Sequence, residues 1–231
     1  MNESEKTRKI RSAEFLEKYF QGNIIDIGAG SDPVTSDAEI FDLKDGDANV
    51  ISRYKTKNTY DLVHSSHCLE HMVDARAALN EWWSLLKMGG YMILVVPDED
   101  LYEQKMWPSI FNDDHKHSFT LTSKKSWSPV SNNLISLLKD IPDLKIISQE
   151  IQDHGYCYNL QNLNPTPRLK PPKAFKILKE LLRLIPKLNK ILIFQLENYL
   201  FHKYGIPIDQ TKRSALAQIQ IVAQKISTFE V

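Results

Sequence analysis

The chain has 231 residues, 42% hydrophobic and 25% charged, enough for one sizeable α/β core. Its 29 basic and 29 acidic residues cancel, so no chain-wide field holds a polyanion, and nucleic acid is not an expected partner. Two cysteines, Cys68 and Cys157, form neither a disulfide framework nor a CxxC metal or redox pair, which fits a reducing, cytoplasmic setting.

Residues 1–20 alternate charged and apolar side chains, the pattern of an amphipathic leading helix and not of a signal peptide. No run approaches the ~18 apolar residues that a membrane span needs. The first strand is expected over 23–30, NIIDIGAG, where an apolar run enters a glycine turn. A short strand follows over 38–43, AEIFDL, and a third over 60–66, YDLVHSS. The spacing of Ala75, Ala78, Leu79, Trp82, Leu85 and Leu86 predicts a helix over 74–87, and MGGYMILVVP then gives a glycine stop and a strand from Tyr91 to Val96. SNNLISLLKDI reads as a helix and LKIISQEI as a strand. Strands alternating with helices predict a doubly wound α/β sheet, mostly parallel, with its ligand beyond the C-terminal strand ends.

The pattern then breaks. Residues 160–172 hold four of the eleven prolines and read as a linker. Two helices divided at Pro186 are expected to follow, and the alternating run SALAQIQIVAQKI predicts a last strand at 215–222. The whole, 1–231, is expected to be one domain with a helical insertion over 160–205. From Arg168 to Lys190 that insertion carries eight basic residues and one acid, Glu180. Such a basic amphipathic helix suits a lid, a homodimer face, or peripheral contact with an anionic membrane surface.

A strand running into Gly28-Ala29-Gly30 brings backbone N–H groups close to a ligand. Pro33 stands where a dinucleotide fingerprint needs its third glycine, which argues against a dehydrogenase. Asp42, one strand on, can accept two ribose hydroxyls or cap a loop. Taken in order, DIGAG, a strand-end acid, GDA, YDLVHSSHCLEH and LLKMGGYMILVVP resemble the class I S-adenosylmethionine-dependent methyltransferases, whose fold is Rossmann-like with an antiparallel last strand. The resemblance covers roughly residues 20–155 and the last strand. It implies that S-adenosyl-L-methionine is the cofactor. It further implies that Asp26, Gly28 and Gly30 hold the methionine end, that Asp42 takes the ribose and Leu43 the adenine, that Asp47 and Ala48 face the adenine ring, and that Ser65 and Ser66 close the pocket. Two departures stand out: Asp32 replaces the family's third glycine, and the segment before GDA is too short for a crossover helix.

Methyl transfer to a hydroxyl gains from a base above the strand ends. His67, His115 and His117 are the catalytic candidates, with His71, Tyr102, Trp107 and Asn112 lining the acceptor pocket; His154 or Tyr156 can add to its rim. The stretch SSHCLEHM, 65–72, admits three readings. LEHM can start a helix with His71 in the pocket wall, or a histidine can act as base. Alternatively His67, Glu70 and His71 with a later histidine resemble the metal set of small-RNA 3′-terminal 2′-O-methyltransferases. No metal ligand is assigned. The spelling of SSHCLEHM, WWSLLKMGGY and PDEDLYEQ resembles bacterial methyltransferases of cell-surface polysaccharide and capsule pathways, which implies O-methylation of a sugar hydroxyl or of a phosphate-like oxygen attached to one. Two alternatives stay open: a metal-assisted methyltransferase of RNA 3′ ends, and a non-catalytic binding domain of the same fold.

Overall fold

A computed structural model describes residues 3–122, 125–163 and 189–227. The leading amphipathic segment forms two helices, α1 (Glu3–Ile10) and α2 (Ala13–Tyr19), the second capped by Ser12. Strands β1 (Ile24–Ile27), β2 (Glu39–Phe41), β3 (Tyr60–Ser66) and β4 (Leu86–Pro97) then run parallel. Helix α3 (Ala75–Ser84) lies between the last two of these, capped by Asp74. A two-strand ribbon, β5 (Ser118–Thr120) with β6 (Ser131–Asn133), leads into α4 (Leu134–Lys139). Strand β7 (Leu144–Gln152), helix α5 (Asn189–Tyr204) and strand β8 (Gln218–Lys225) complete the order.

The six-stranded sheet runs β2-β1-β3-β4-β8-β7. Strand β8 runs opposite to the other five, antiparallel to both β4 and β7, as expected for the last strand. It extends over 218–225 where 215–222 was predicted. Strand β4 begins at Leu86, before the predicted Tyr91, because Tyr60 pairs with Leu86 and Leu62 with Tyr91, leaving Lys87–Gly90 to bulge. The short connection after β2 holds only a 3₁₀ turn, Ala48–Arg53, so β2 is a sheet edge.

Both faces of the sheet are covered, which explains why its strands read as unbroken apolar runs. On one face Ile25, Ile27, Val63, Met92, Leu94 and Val96 pack with Leu79 and Trp82 of α3 and Leu134 and Leu138 of α4. Trp82 is fully buried and its indole N–H donates to the Ala48 carbonyl at 2.9 Å, holding the 3₁₀ turn against α3. On the other face Ile24, Leu62, Ile93, Val95 and Val222 pack under Tyr19, with Phe15 and Phe20 beside them. Of the expected insertion, the lysine-rich helix and its break at Pro186 lie outside the described residues. Helix α5 is tied to the body by Arg213, which pairs with Glu197 at 2.7 Å and stacks over Phe194 at 4.0 Å. No helix among the described residues is long and apolar enough to cross a membrane.

Strand β4 ends at Pro97, and buried Asp98 caps the helical turn 99–103 by accepting from the amides of Asp100 and Leu101, each at 3.0 Å. Burial raises the Asp98 carboxyl to about 6; the two amides oppose this, and the charges of Asp100 and Glu99 add to it. A folded pKa above the ordinary 3.8 means that the folded state holds the proton more tightly. Its contribution to stability is therefore complete below about pH 3.8 and lost as pH rises through about 6. Asp98→Asn keeps a capping oxygen but cannot ionise. Its unfolding free energy relative to the parent is expected to rise between pH 4 and pH 7, by as much as about 3 kcal/mol. Denaturant titrations at the two pH values measure this, and an unchanged difference would show that Asp98 is not the titrating group.

Candidate active site

Strands β1 to β4 deliver their C-terminal ends to one edge, and β8, running the other way, brings its first residue there: Gln218 pairs with Pro97. At the end of β1 the chain turns through Gly28, φ +79°, and Gly30, φ +60°, a left-handed backbone that favours glycine. A Cβ on Gly28 would sit 2.6 Å from the Cys68 Cβ, so this glycine lets the loop after β3 close against the turn. At Gly30 the nearest atom to such a Cβ is Asp42 Oδ2, 3.8 Å away. The turn and the strand-end acid thus face each other directly, with room at Gly30 for a Cβ in ordinary contact with Asp42.

Asp26, expected beside the ligand, is instead buried beneath the turn. Its Oδ2 accepts from the Val34 amide at 2.6 Å and its Oδ1 meets His64 Nδ1 at 2.7 Å. The Arg11 guanidinium, which only donates, lies 3.1 Å from His64 Nε2, so that nitrogen accepts and Nδ1 carries the hydrogen given to Asp26. Burial pushes the His64 pKa down, against the pull of Asp26, and the ring is neutral. Burial also lowers Arg11, to about 10, well above neutrality. Asp32, in place of the family's third glycine, pairs with Arg8 at 2.5 Å, and Arg8 also donates to the Pro33 carbonyl at 2.8 Å. The turn is therefore held from below by Asp26 and from the side by α1.

Asp42 Oδ1 accepts from the Leu43 amide at 2.6 Å, and the Leu43 side chain is 92% exposed beside it. Asp47 differs from expectation, because its carboxylate caps the 3₁₀ turn through the Asn49 amide at 2.9 Å and the Asn49 side chain at 2.8 Å. Those bonds, the Asn49 side chain first, hold it below the ordinary carboxylate range. Ala48 uses its carbonyl on Trp82. Ser65 donates to the Ile27 carbonyl at 3.1 Å, joining β3 to β1, whereas the buried Ser66 hydroxyl has no hydrogen-bond partner. Cys68 is buried against Gly28, and burial pushes its thiol pKa up, leaving an inert neutral group.

The histidines gather in the loop after β3 and the segment before β5. His67 adopts a left-handed backbone, φ +55°, and its Nε2 lies 2.9 Å from Gln218 Oε1. Residues 69–71 form a single 3₁₀ turn and not the start of a longer helix. Glu70 is 1% exposed, and among the described residues neither carboxylate oxygen has a hydrogen-bond partner. Around its Oε1 stand His67 Nδ1 at 3.6 Å, His71 Nε2 at 4.0 Å and His115 Nε2 at 4.0 Å. His117 stands apart: its Nε2 meets the Met72 carbonyl at 3.0 Å and its Nδ1 the Asn132 amide at 3.3 Å. With both nitrogens engaged, His117 braces the loop.

Of the expected acceptor residues, His71 and Tyr102 come together on either side of the His115 ring, at centroid distances of 5.1 and 5.3 Å. Phe111 adds an edge contact to Tyr102 at 5.7 Å. Asn112 caps its own loop by accepting from the Asp114 amide at 3.1 Å, and Trp107 is partly buried in the same segment. Tyr156 turns inward and donates to the Leu101 carbonyl at 2.7 Å, while His154 is exposed. Glu103, which holds His115 Nδ1 at 2.7 Å, was not anticipated, and neither was Gln218. Glutamines at 218 and 220, alternating with isoleucines at the start of the strand, were the available signal.

The family model described as a methyltransferase domain matches residues 7–128. No curated protein matches the chain. Among solved structures, a S-adenosylmethionine-dependent methyltransferase from Archaeoglobus fulgidus is 15% identical, with 97% of this chain and 95% of that one covered and a TM-score of 0.45. A S-adenosylmethionine-dependent methyltransferase from Thermotoga maritima is 12% identical over 96% of this chain and 87% of that one, TM-score 0.45. A phosphoethanolamine N-methyltransferase from Haemonchus contortus, solved with phosphomonomethylethanolamine and S-adenosylhomocysteine, is 13% identical over 92% of this chain and 51% of that one, TM-score 0.47.

The two glycines make separable predictions. Gly28→Ala forces a methyl into Cys68 and is expected to cost stability first, a few kcal/mol. Gly30→Ala meets no protein atom within 3.5 Å and is expected to cost only about 1 to 2 kcal/mol, from its left-handed backbone. It should nonetheless weaken S-adenosylmethionine binding by more than about tenfold, because its methyl enters the gap before Asp42. Thermal unfolding and calorimetry on both variants separate the effects; unimpaired binding by Gly30→Ala would remove the gap from the site.

Proposed function

Because the chain belongs to the methyltransferase domain family and is an enzyme with S-adenosylmethionine as its cofactor, we propose that it is an O-methyltransferase of a small polar acceptor. The acceptor is a sugar hydroxyl, or a phosphate-like oxygen linked to a sugar, of the kind handled in surface-polysaccharide synthesis. The observation that carries this reading is the meeting of two features at one sheet edge: the Gly28–Gly30 turn facing Asp42, and the imidazole cluster that abuts it through Cys68.

The residues suit the cofactor. The space at Gly30 is one that a Cβ would fill, the Asp42 carboxylate faces it, Leu43 leaves an apolar side chain uncovered beside that acid, and the Ser66 hydroxyl is buried without a partner. Asp42 would hold the ribose, Leu43 the adenine, and the turn at 28–30 the methionine end. When bound, the cofactor supplies a methyl group on a sulfonium, and an acceptor oxygen–carbon bond forms as its sulfur–carbon bond breaks.

What the chain contributes is placement and proton handling. His67 is the proton carrier in this reading, since its loop lies against the glycine turn and Gln218 fixes its ring. Tyr102, half-buried over the His115 ring, gives the acceptor an aromatic wall suited to the apolar face of a sugar ring. His117 and Asn132 steady the segment behind them. The equal numbers of acidic and basic residues favour a small acceptor over a nucleic acid.

Asp42→Ala is expected to raise the dissociation constant for S-adenosylmethionine about tenfold or more, while His67→Ala leaves it within about threefold and slows turnover. Release of S-adenosylhomocysteine across a panel of nucleotide sugars and sugar phosphates tests the acceptor class. Cofactor binding with no release on any hydroxyl or phosphate acceptor would sink the O-methyltransfer reading.

A further inference from the structure

Glu70 presents a bare carboxylate in a dry site. It is 1% exposed, neither oxygen has a hydrogen-bond partner among the described residues, and yet ring nitrogens of the adjacent His71 and of the remote His115 stand 4.0 Å from one of them. The far side of each ring explains what those nitrogens carry. His115 Nδ1 lies 2.7 Å from Glu103 Oε1, and His71 Nδ1 lies 2.9 Å from Asp114 Oδ2, with the Asp114 carbonyl at 3.3 Å. These partners only accept, so each Nδ1 bears a hydrogen, and in the neutral ring each Nε2 is left with a lone pair. Two lone pairs and an anionic oxygen therefore converge with no hydrogen between them. Such an arrangement repels itself unless a cation lies at its centre.

We propose that Glu70, His71 and His115 form a binding site for a divalent transition-metal ion. Their ligating atoms lie within 4.8 Å of one another. Nitrogen and oxygen ligands at ~2.0–2.2 Å from a tetrahedral ion stand about 3.4 Å apart, close to the 4.0 Å that separates each Nε2 from Glu70 Oε1 here. Imidazole and carboxylate without thiolate suit zinc, cobalt, manganese, nickel or ferrous iron, and not calcium, which takes oxygen ligands. Glu103 and Asp114 complete the design, because metal-bound histidines donate their other N–H to a carboxylate, which fixes ring orientation and strengthens the lone pair. His67 Nδ1 stands 3.6 Å from the same Glu70 oxygen. The binding site stands on this cluster alone; that the ion presents a Lewis-acid contact to the acceptor oxygen rests on the reading given above.

The test uses the full chain, stripped with a chelator and titrated with Co²⁺ and Zn²⁺ by calorimetry, with the visible ligand-field spectrum of Co²⁺ read in parallel. One equivalent is expected to bind. Glu70→Gln is expected to abolish binding without unfolding the chain, since its amide donates hydrogens to the facing lone pairs; its thermal stability should equal or exceed that of the stripped parent. His71→Ala, at a partly exposed position, should weaken binding at least tenfold, and His154→Ala, at an exposed histidine outside the cluster, should not change it. Absence of stoichiometric binding by the folded parent would overturn the proposal, as would equal affinity in Glu70→Gln or His71→Ala. S-adenosylmethionine binding to the stripped protein is measured separately. A chain that binds the cofactor and no metal defeats the metal site alone, and one that binds metal and no cofactor defeats the methyltransferase reading alone.

Discussion

The glycine turn at 28–30 depends on one buried carboxylate. An ionised group taken out of water must be paired or hydrogen-bonded, and Asp26 meets that demand with the Val34 amide above and the His64 ring beside it. The demand then passes outward: His64 can donate to Asp26 only in one tautomer, and Arg11 imposes it from the connection between α1 and α2. Arg8 ties Asp32 and Pro33 to the same N-terminal element. The leading helices thus hold the glycine turn in place. Their attachment through Lys6, whose amine donates to the Thr211 and Ala215 carbonyls, links the turn to the segment that precedes β8.

Against that background Glu70 stands out. Asp98 accepts two amides, and Glu99 accepts the hydroxyls of Ser118, Ser126 and Ser131. Asp26 has its two partners. These acids show how the chain treats a carboxylate that serves only structure, by surrounding it with donors. Glu70, as buried as any of them, faces ring nitrogens whose hydrogens are directed elsewhere. A folded chain tolerates so unfavourable an arrangement at a place where something else is to bind.

The strands and the glycine turn were legible in the sequence because their signals are local. NIIDIG gives an apolar run and a turn residue within a few positions, and YDLVHSS was bounded to the residue. The start of β4 was misplaced because helix and strand patterns overlap at Leu85 and Leu86, and only pairing with Tyr60 settles them. The fine structure of the site was not legible, because its contacts are remote. His64 meets Arg11 across 53 residues, His67 meets Gln218 across 151, and His117 has both nitrogens occupied by groups that no spacing rule connects to it. Residue types identified the histidines as interesting; which nitrogen carries a hydrogen is a property of three-dimensional partners.

The pleat of β3 explains why the turn and the imidazole cluster meet. Alternation sends Leu62 and His64 toward the N-terminal helices and Val63 and Ser65 toward α3, so a strand continued regularly would carry its next residues away from the edge in turn. The left-handed backbone at His67 breaks that alternation. It costs an L-residue on the order of 1 to 2 kcal/mol, and the fold offsets this with the His67 amide bonded to the Val95 carbonyl at 2.9 Å and the ring held by Gln218. The kink swings Cys68 against Gly28 and leaves Glu70 under His71 and His115. Gln218 can reach His67 only because β8 runs antiparallel: a parallel last strand would bring its final residue to this edge and its first to the opposite one. The reversed strand is therefore what lets a residue near the C-terminus fix the ring that stands between the two halves of the site.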